Sequence, residues 1–371
     1  MAYTPGLKIL RSTVIYKERT LPVPGRVLVK ENDRVSAETI VAETEIQSGV
    51  EMIPLAYHLG IEPEDIYRVL LKKVGETVKE GELIALSTKF FGLIKSKYYS
   101  PVSGTLEYVS DFSGVIGIRK PPTIVRKIAY VPGEVVKVIG NIGVVIRTRG
   151  AFVQGILGVS GERIGELKTV GKPNEVLSSH NVDESCAGKI LVGGALATLD
   201  FLKKAADVGA KGVVVGGINA KDLVSFLGYV IGVAITGSED LPLTLIITEG
   251  FGKMNMAPHT FDILSSLEGK TASINGATQI RAGVIRPEVI VPEEEQKITE
   301  EEEFEKDLTM NIGTMVRIIR APYFGQIGKV VRLPVELQKI ETESFVRVVE
   351  IELSDGRRVI VPRANVEIIE V

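Results

Sequence analysis

Three apolar runs in the middle of the sequence end in glycine: Val192-Gly193-Gly194, Val215-Gly216-Gly217 and Thr248-Glu249-Gly250-Phe251-Gly252. Glycine at the carboxyl end of a strand lets backbone amides and the next helix N-terminus approach an anion closely. In open α/β sheets that edge is where ligands sit. The chemistry suits a small phosphate-bearing molecule. Gly193, Gly194, Gly216, Gly217, Asn219, Thr248, Glu249 and Gly250 are the ligand-binding candidates, with Thr198, Lys221 and Asp222 beside them. None of the runs is a full G-x-G-x-x-G fingerprint or a G-x-x-x-x-G-K-[ST] loop. The same glycines also read as plain strand-to-helix turns. A second cluster lies in residues 178–186, where Cys186 follows His180, Asp183 and Glu184. Those are the residue types of a nucleophile and its base, although a lone cysteine is equally a small core residue. His58 and His259 are far off along the chain, and this scatter makes no metal-ligand spacing. No catalytic residue, metal site or cofactor is assigned.

The glycine edge needs a frame of alternating strands and helices. Residues 189–192, 212–215 and 243–247 are short apolar runs, each followed by a helical pattern, at 199–206, 220–227 and about 260–267. Strands this apolar suit a parallel sheet covered on both faces. The expected fold is a β-rich, multidomain α+β chain. An α/β domain over 176–269 interrupts a second β domain made of 123–175 and 270–291. Residues 1–122 form a first β domain, with a helical insertion at about 49–71 whose helix over 62–71 opens on Pro63 and acids. Within it, residues 30–42 and 73–85 echo each other without a gap, as do 22–27 and 101–106. Such an echo fits a pseudo-twofold sandwich. The acid-rich stretch 292–307 cannot bury enough to order itself and reads as a linker. Residues 308–371 form a last small β domain, and cutting the linker is expected to release it folded.

Two stretches resemble known families. Gly75-x-x-Val78-x-x-Gly81-x-x-Ile84-Ala85, followed by Ser100-Pro101-Val102-Ser103-Gly104, resembles the biotinyl/lipoyl-like barrel-sandwich hybrid family. Carrier members of that family bear their cofactor on a hairpin-tip lysine, which here implies Lys89 or Lys95, though the family's modification motif is absent. The tip's Phe90, Phe91, Tyr98 and Tyr99 also offer a partner surface. The second stretch is Gly313-Thr314-Met315-Val316-Arg317-Ile318 with Gly325-Gln326-Ile327-Gly328-Lys329-Val330, closed by a hairpin around Asp355-Gly356. It is similar to the KOW motif of NusG-type and ribosomal proteins. The resemblance implies an SH3-like barrel that contacts RNA, the ribosome or RNA polymerase, through Arg317, Arg320, Tyr323, Phe324 and Lys329.

The bulk composition narrows the function. With 44% hydrophobic and 25% charged residues, a core can form in every part but the acidic stretch. The net charge of -3 provides no global basic field for nucleic acid or anionic lipid, so any such contact is local. One cysteine excludes an internal disulfide and fits a reducing, cytoplasmic setting. No run approaches the roughly 20 apolar residues of a membrane helix. The leading reading is a non-catalytic binding or scaffold protein that docks through its KOW barrel on RNA, a transcription or translation machine, or another protein. The alternatives are an enzyme or sensor at the glycine edge and a lysine-modified carrier.

Overall fold

The computed structural model describes residues 7–89, 94–229, 236–279, 285–293, 310–318, 322–323, 326–334, 337–339, 345–353 and 355–370. The chain is β-rich. The long strand Leu7–Thr20 pairs antiparallel with Gly143–Gln154, from Ile9 opposite Val153 to Thr20 opposite Gly143. Antiparallel pairing then continues through Glu288–Pro292, Thr271–Asn275 and Glu162–Thr169. From there the sheet turns parallel, through Lys189–Val192, Gly212–Ile218 and Thr244–Phe251. Leu157–Val159 closes the far edge antiparallel. One continuous sheet therefore joins the strands expected of the second β domain to those of the α/β domain.

The apolar runs have a simple cause, because both sheet faces are covered. Leu191, Val213, Val215, Leu245 and Ile247 pack on Phe201, Leu202, Ala205, Leu223 and Leu227 of helices Leu199–Asp207 and Ala220–Leu227. Their strand neighbours Ile190, Val192, Val214 and Ile246 face the other way, onto Ile263 and Leu264 of helix Pro258–Ser266. Leu7, Ile9, Ala151, Val153, Val289 and Val291 extend that second core. All seven residues of Gly212–Ile218 are buried, so no polar alternation survives in the sequence.

Residues expected to form a single unit over 1–122 divide between two cores. Val35 and Val41 pack with Ile15, Tyr130, Val135, Val144 and Ile146. Val78 and Ile84, their counterparts in the echo, pack with Ile53, Leu55, Leu59, Ile66, Leu106, Ile116 and Ile118. The cause is a long-range pairing. Strand Ile40–Ile46 takes Thr123–Ile128 as partner, with Ile46 opposite Thr123. Residues 49–120 thus leave and return side by side, with Val50 opposite Arg119 and Ser48 Oγ donating to Pro121 O at 2.7 Å. They form an arm on a two-stranded neck. Its first part is the strand Val50–Ile53, and helices Leu55–Leu59 and Ile66–Val69 follow.

What the echo does encode is a turn. Lys30 N–H donates to Asp33 Oδ2 at 2.7 Å, and Lys73 N–H to Glu76 Oε2 at 3.2 Å. In both turns the fourth residue's amide returns to the first residue's carbonyl. Lys172 with Glu175, and Asn311 with Thr314, close the same way.

In the C-terminal unit the antiparallel order is Val366–Glu370, Met315–Ile318, Ile327–Arg332, Val348–Leu353, Arg358–Pro362. Its core holds Val316, Ile318, Val330, Val349, Ile351 and Val361. Leu7 and Lys8 pair parallel with Ile369 and Glu370, which joins this unit to the first strand. The expected linker falls almost entirely outside the described residues. Among the described residues no helix is long and apolar enough to cross a membrane.

The separate core of the arm yields a direct test. Residues 49–120 expressed alone are expected to unfold cooperatively on heating, with a stability of about 3–5 kcal/mol for a unit of this size. A short glycine-serine bridge in their place is expected to leave the rest of the chain folded. A fragment without a thermal transition would contradict the division.

Candidate functional site

The glycine edge lies where the sequence places it, at the carboxyl ends of the parallel strands, and the chain itself occupies it. Gly193 N–H donates to Val214 O, Gly194 N–H to Lys172 O, Gly216 N–H to Gly194 O and Gly252 N–H to Ile218 O, at 2.8–3.1 Å. Met254 and Met256 donate to Ala195 O and Pro173 O. A Cβ on Gly216 would sit 2.1 Å from Met254 O, and one on Gly217 2.1 Å from Gly252 O. Glycine is needed there because two stretches of backbone meet. The amides that would cradle a phosphate at Gly193, Gly194 and Gly216 are already bonded. Gly250 takes a positive φ of 146° beside Glu249.

The neighbouring candidates have structural partners. Thr198 caps helix Leu199–Asp207, and its Oγ1 donates to Leu177 O at 2.7 Å. Its hydroxyl and the Ser179 amide hold the nearby Asp200 carboxyl down at about 2. Asn219 is exposed and donates to Asp222 Oδ2 at 3.2 Å, and Lys221 is exposed. Thr248 is buried, with its Oγ1 3.3 Å from Val215 O. Cys186 lies in the core beside the parallel strands, with Sγ 3.8 Å from Asp183 Oδ1, while His180 is exposed.

Glu249 and Arg317, expected in two different sites, meet each other. Glu249 Oε1 accepts from the Ala257 amide at 3.0 Å, and Oε2 accepts from Arg317 at 2.8 Å. The two residues are only 4% and 2% exposed. Arg317 is therefore not a surface contact of the C-terminal unit, as the KOW resemblance implied. Strand Met315–Ile318 has its own core on one face and the body on the other, so inward Val316 and Ile318 and outward Arg317 are all buried. Lys329 is exposed and stands opposite Glu352, which also pairs with Arg358 at 3.0 Å. Tyr323 is half-buried against the unit's core. Arg320 and Phe324 lie outside the described residues, as does the hairpin tip 90–93. Lys95 is exposed on strand Ile94–Tyr99.

The structure also assembles a polar cluster that sequence reasoning missed. Arg19, 3% exposed, makes a bidentate pair with Glu162, both contacts 2.6 Å, and donates from Nε to Ile128 O. Lys17 pairs with Glu288 at 2.6 Å. Between these pairs lies Tyr130, fully buried, its ring centre 5.1 Å from the Arg19 guanidinium and 5.9 Å from Lys17 Nζ. Burial, then the Glu288 and Glu162 charges, push the Tyr130 phenol well above its ordinary range. Burial pulls the Lys127 ammonium down, with Glu162 opposing. Burial pushes the Glu162 carboxyl up, but the Arg19 pair outweighs it and the net direction is down. A cleft of about 270 Å³ opens here, lined by Glu38, Ile128, Tyr130, Glu162, Arg163, Ile164 and Lys211. The only local signal is Lys17 and Arg19 on one face of a strand.

The chain matches no protein-family model and no curated protein sequence.

Breaking a buried ion pair leaves an uncompensated charge. Arg317→Ala is expected to destabilise the chain by about 3–5 kcal/mol. Arg317→Met combined with Glu249→Gln removes both charges and keeps an acceptor for the Ala257 amide. It is expected to recover at least half of that loss in urea unfolding. Equal losses in the two variants would show that the charge pairing is not what matters.

Proposed function

We propose that the chain is a non-catalytic binding and scaffold protein that presents two contact modules on a rigid body. The N-terminal arm is read as a lipoyl-like barrel-sandwich module without a modified lysine, and the C-terminal unit as a KOW-type, SH3-like barrel. The observation that carries this reading is the arm's surface. Phe112 is 94% and Tyr57 83% exposed, and Met52, Tyr67, Tyr99 and Tyr108 are exposed with them. Aromatic residues and methionine are the types enriched where proteins meet. The two-stranded neck carries them away from the body's cores.

A protein partner is favoured over RNA. On the C-terminal unit, Lys329 stands opposite Glu352 and Arg332 opposite Glu350 in the ladder, and Glu352 pairs with Arg358, so acids stand among the bases on this sheet. RNA binding needs an uncompensated basic stripe. The ribosome and RNA polymerase remain partners of the right kind, met through their proteins. The phosphate reading of the glycine edge loses its support because those amides are bonded within the chain.

The test is affinity purification of the intact chain from its source cells, with and without nuclease, beside a Tyr57→Ser/Phe112→Ser variant. Both positions are exposed, so the fold is expected to hold. The expected result is a defined protein partner that survives nuclease and is lost with the variant. Co-purifying nucleic acid that nuclease removes, or a partner indifferent to the variant, would contradict the proposal.

A further inference from the structure

The far end of the arm is built where three segments meet at Gly114. Gly114 is buried, takes a positive φ of 68°, and closes the turn after strand Gly104–Ser110 by donating its N–H to Ser110 O at 2.9 Å. Its carbonyl accepts from the Ala56 amide at 2.9 Å, in helix Leu55–Leu59. A Cβ on Gly114 would lie 2.3 Å from Ala56 Cβ and 3.4 Å from Pro63. This close approach gathers the segments that carry exposed aromatics. Tyr57 follows Ala56, Phe112 lies in the turn itself, and Tyr67 Oη donates to Val109 O at 3.2 Å. Met52 and Tyr108 continue the apolar surface toward the neck. They stand on either side of Gly117, where a Cβ would lie 3.2 Å from Met52 Sδ and 3.2 Å from Tyr108 Cβ.

The charges at this end are mostly of one sign. Residues 54–69 and 108–115 hold four acids, Glu62, Glu64, Asp65 and Asp111, against one arginine, and Asp65 takes up that Arg68 at 2.7 Å. Glu62 and Glu64 flank Pro63, and Asp111 precedes Phe112. These three acids are exposed and make no ion pair among the described residues. Toward the neck the charges pair off instead, Lys120 with Glu51 and Arg119 with Glu107, each at 2.9 Å. Aromatic faces attract cations, and the arginine guanidinium stacks on them. Unpaired carboxylates beside those faces draw a basic partner and repel phosphate, whether of nucleic acid or of anionic lipid. Arginine is also among the residues enriched where proteins meet. Resting on the reading of the arm as a protein-contact module, we propose that its tip, Tyr57, Tyr67 and Phe112 beside Glu62, Glu64 and Asp111, docks a basic, arginine-bearing segment of the partner protein.

The test is titration of the isotope-labelled full chain with two soluble peptides of equal length. One is made of arginine, leucine and serine, and the other has glutamate in place of arginine. The arginine peptide is expected to shift the amide signals of Tyr57, Glu64, Tyr67 and Phe112, and the glutamate peptide to leave them in place. A Glu62→Gln/Glu64→Gln/Asp111→Asn variant is expected to bind the arginine peptide about tenfold more weakly, since exposed charge contacts are individually small. Tyr57→Ser/Phe112→Ser is expected to lose at least as much. All these positions are exposed, so the melting temperature is expected to hold in both variants. Shifts confined to the acidic stretch 292–307, equal binding of the glutamate peptide, or unchanged affinity in the neutralised variant would overturn the proposal. So would single-stranded RNA or phosphatidylserine vesicles shifting the same signals. The scaffold reading fails separately. A cellular partner lost with Tyr57→Ser/Phe112→Ser but indifferent to the neutralised variant would leave the arm a contact module and overturn only its basic partner.

Discussion

Main-chain hydrogen bonding along Leu7–Thr20 ties together most of what the chain builds. From Ile9 to Thr20 the strand runs beside Gly143–Gln154, and at its start Leu7 and Lys8 pair with the last strand. Its side chains serve different masters on its two faces. Leu7 and Ile9 enter the core under helix Pro258–Ser266, and Ile15 enters the core around Tyr130. Lys17 and Arg19 reach Glu288 and Glu162 on two other strands of the same sheet. A strand with this many long-range partners forms late and couples what it touches, because loop closure must come before its contacts are made. The C-terminal unit is then fastened a second time, by the buried Glu249–Arg317 pair. A charge pair held so far from water tolerates little change in geometry, since neither partner can be left alone.

Body and C-terminal unit thus form one piece, and the arm is the part left outside it. The arm carries the two most exposed large apolar side chains among the described residues, Phe112 and Tyr57. On the proposed scaffold function, a contact surface carried on a neck can search orientations without disturbing the rest of the chain. Tyr130, with a φ of 72°, lies in the body, where its amide donates to Ala37 O and its carbonyl accepts from the Ser273 hydroxyl.

The parallel-sheet frame could be read from the sequence because burial on both faces turns strands into continuous apolar runs such as Val213-Val214-Val215. The terminal unit's inward residues Val316, Ile318 and Val330 could be read from alternation. The arm could not, since its boundary depends on Ile46 meeting Thr123 across the whole insertion, and no local pattern encodes that pairing. The glycines at the strand ends announce a close approach but not what approaches, and the visitor is the chain's own backbone. Arg317 reads as a surface residue because alternation points it away from its own core, and only the packed body shows that the other face is also covered. The Tyr130 cluster was invisible for two reasons. Tyrosine does not announce a left-handed turn as glycine does, and the partners of Lys17 and Arg19 lie 271 and 143 residues away.

Backbone amide relaxation of the isotope-labelled full chain tests this division of labour most directly. Residues of the C-terminal unit and of the body are expected to report one rotational correlation time, and residues 49–120 a shorter one of their own. A C-terminal unit that tumbles independently of the body, or an arm that moves rigidly with it, would contradict the account.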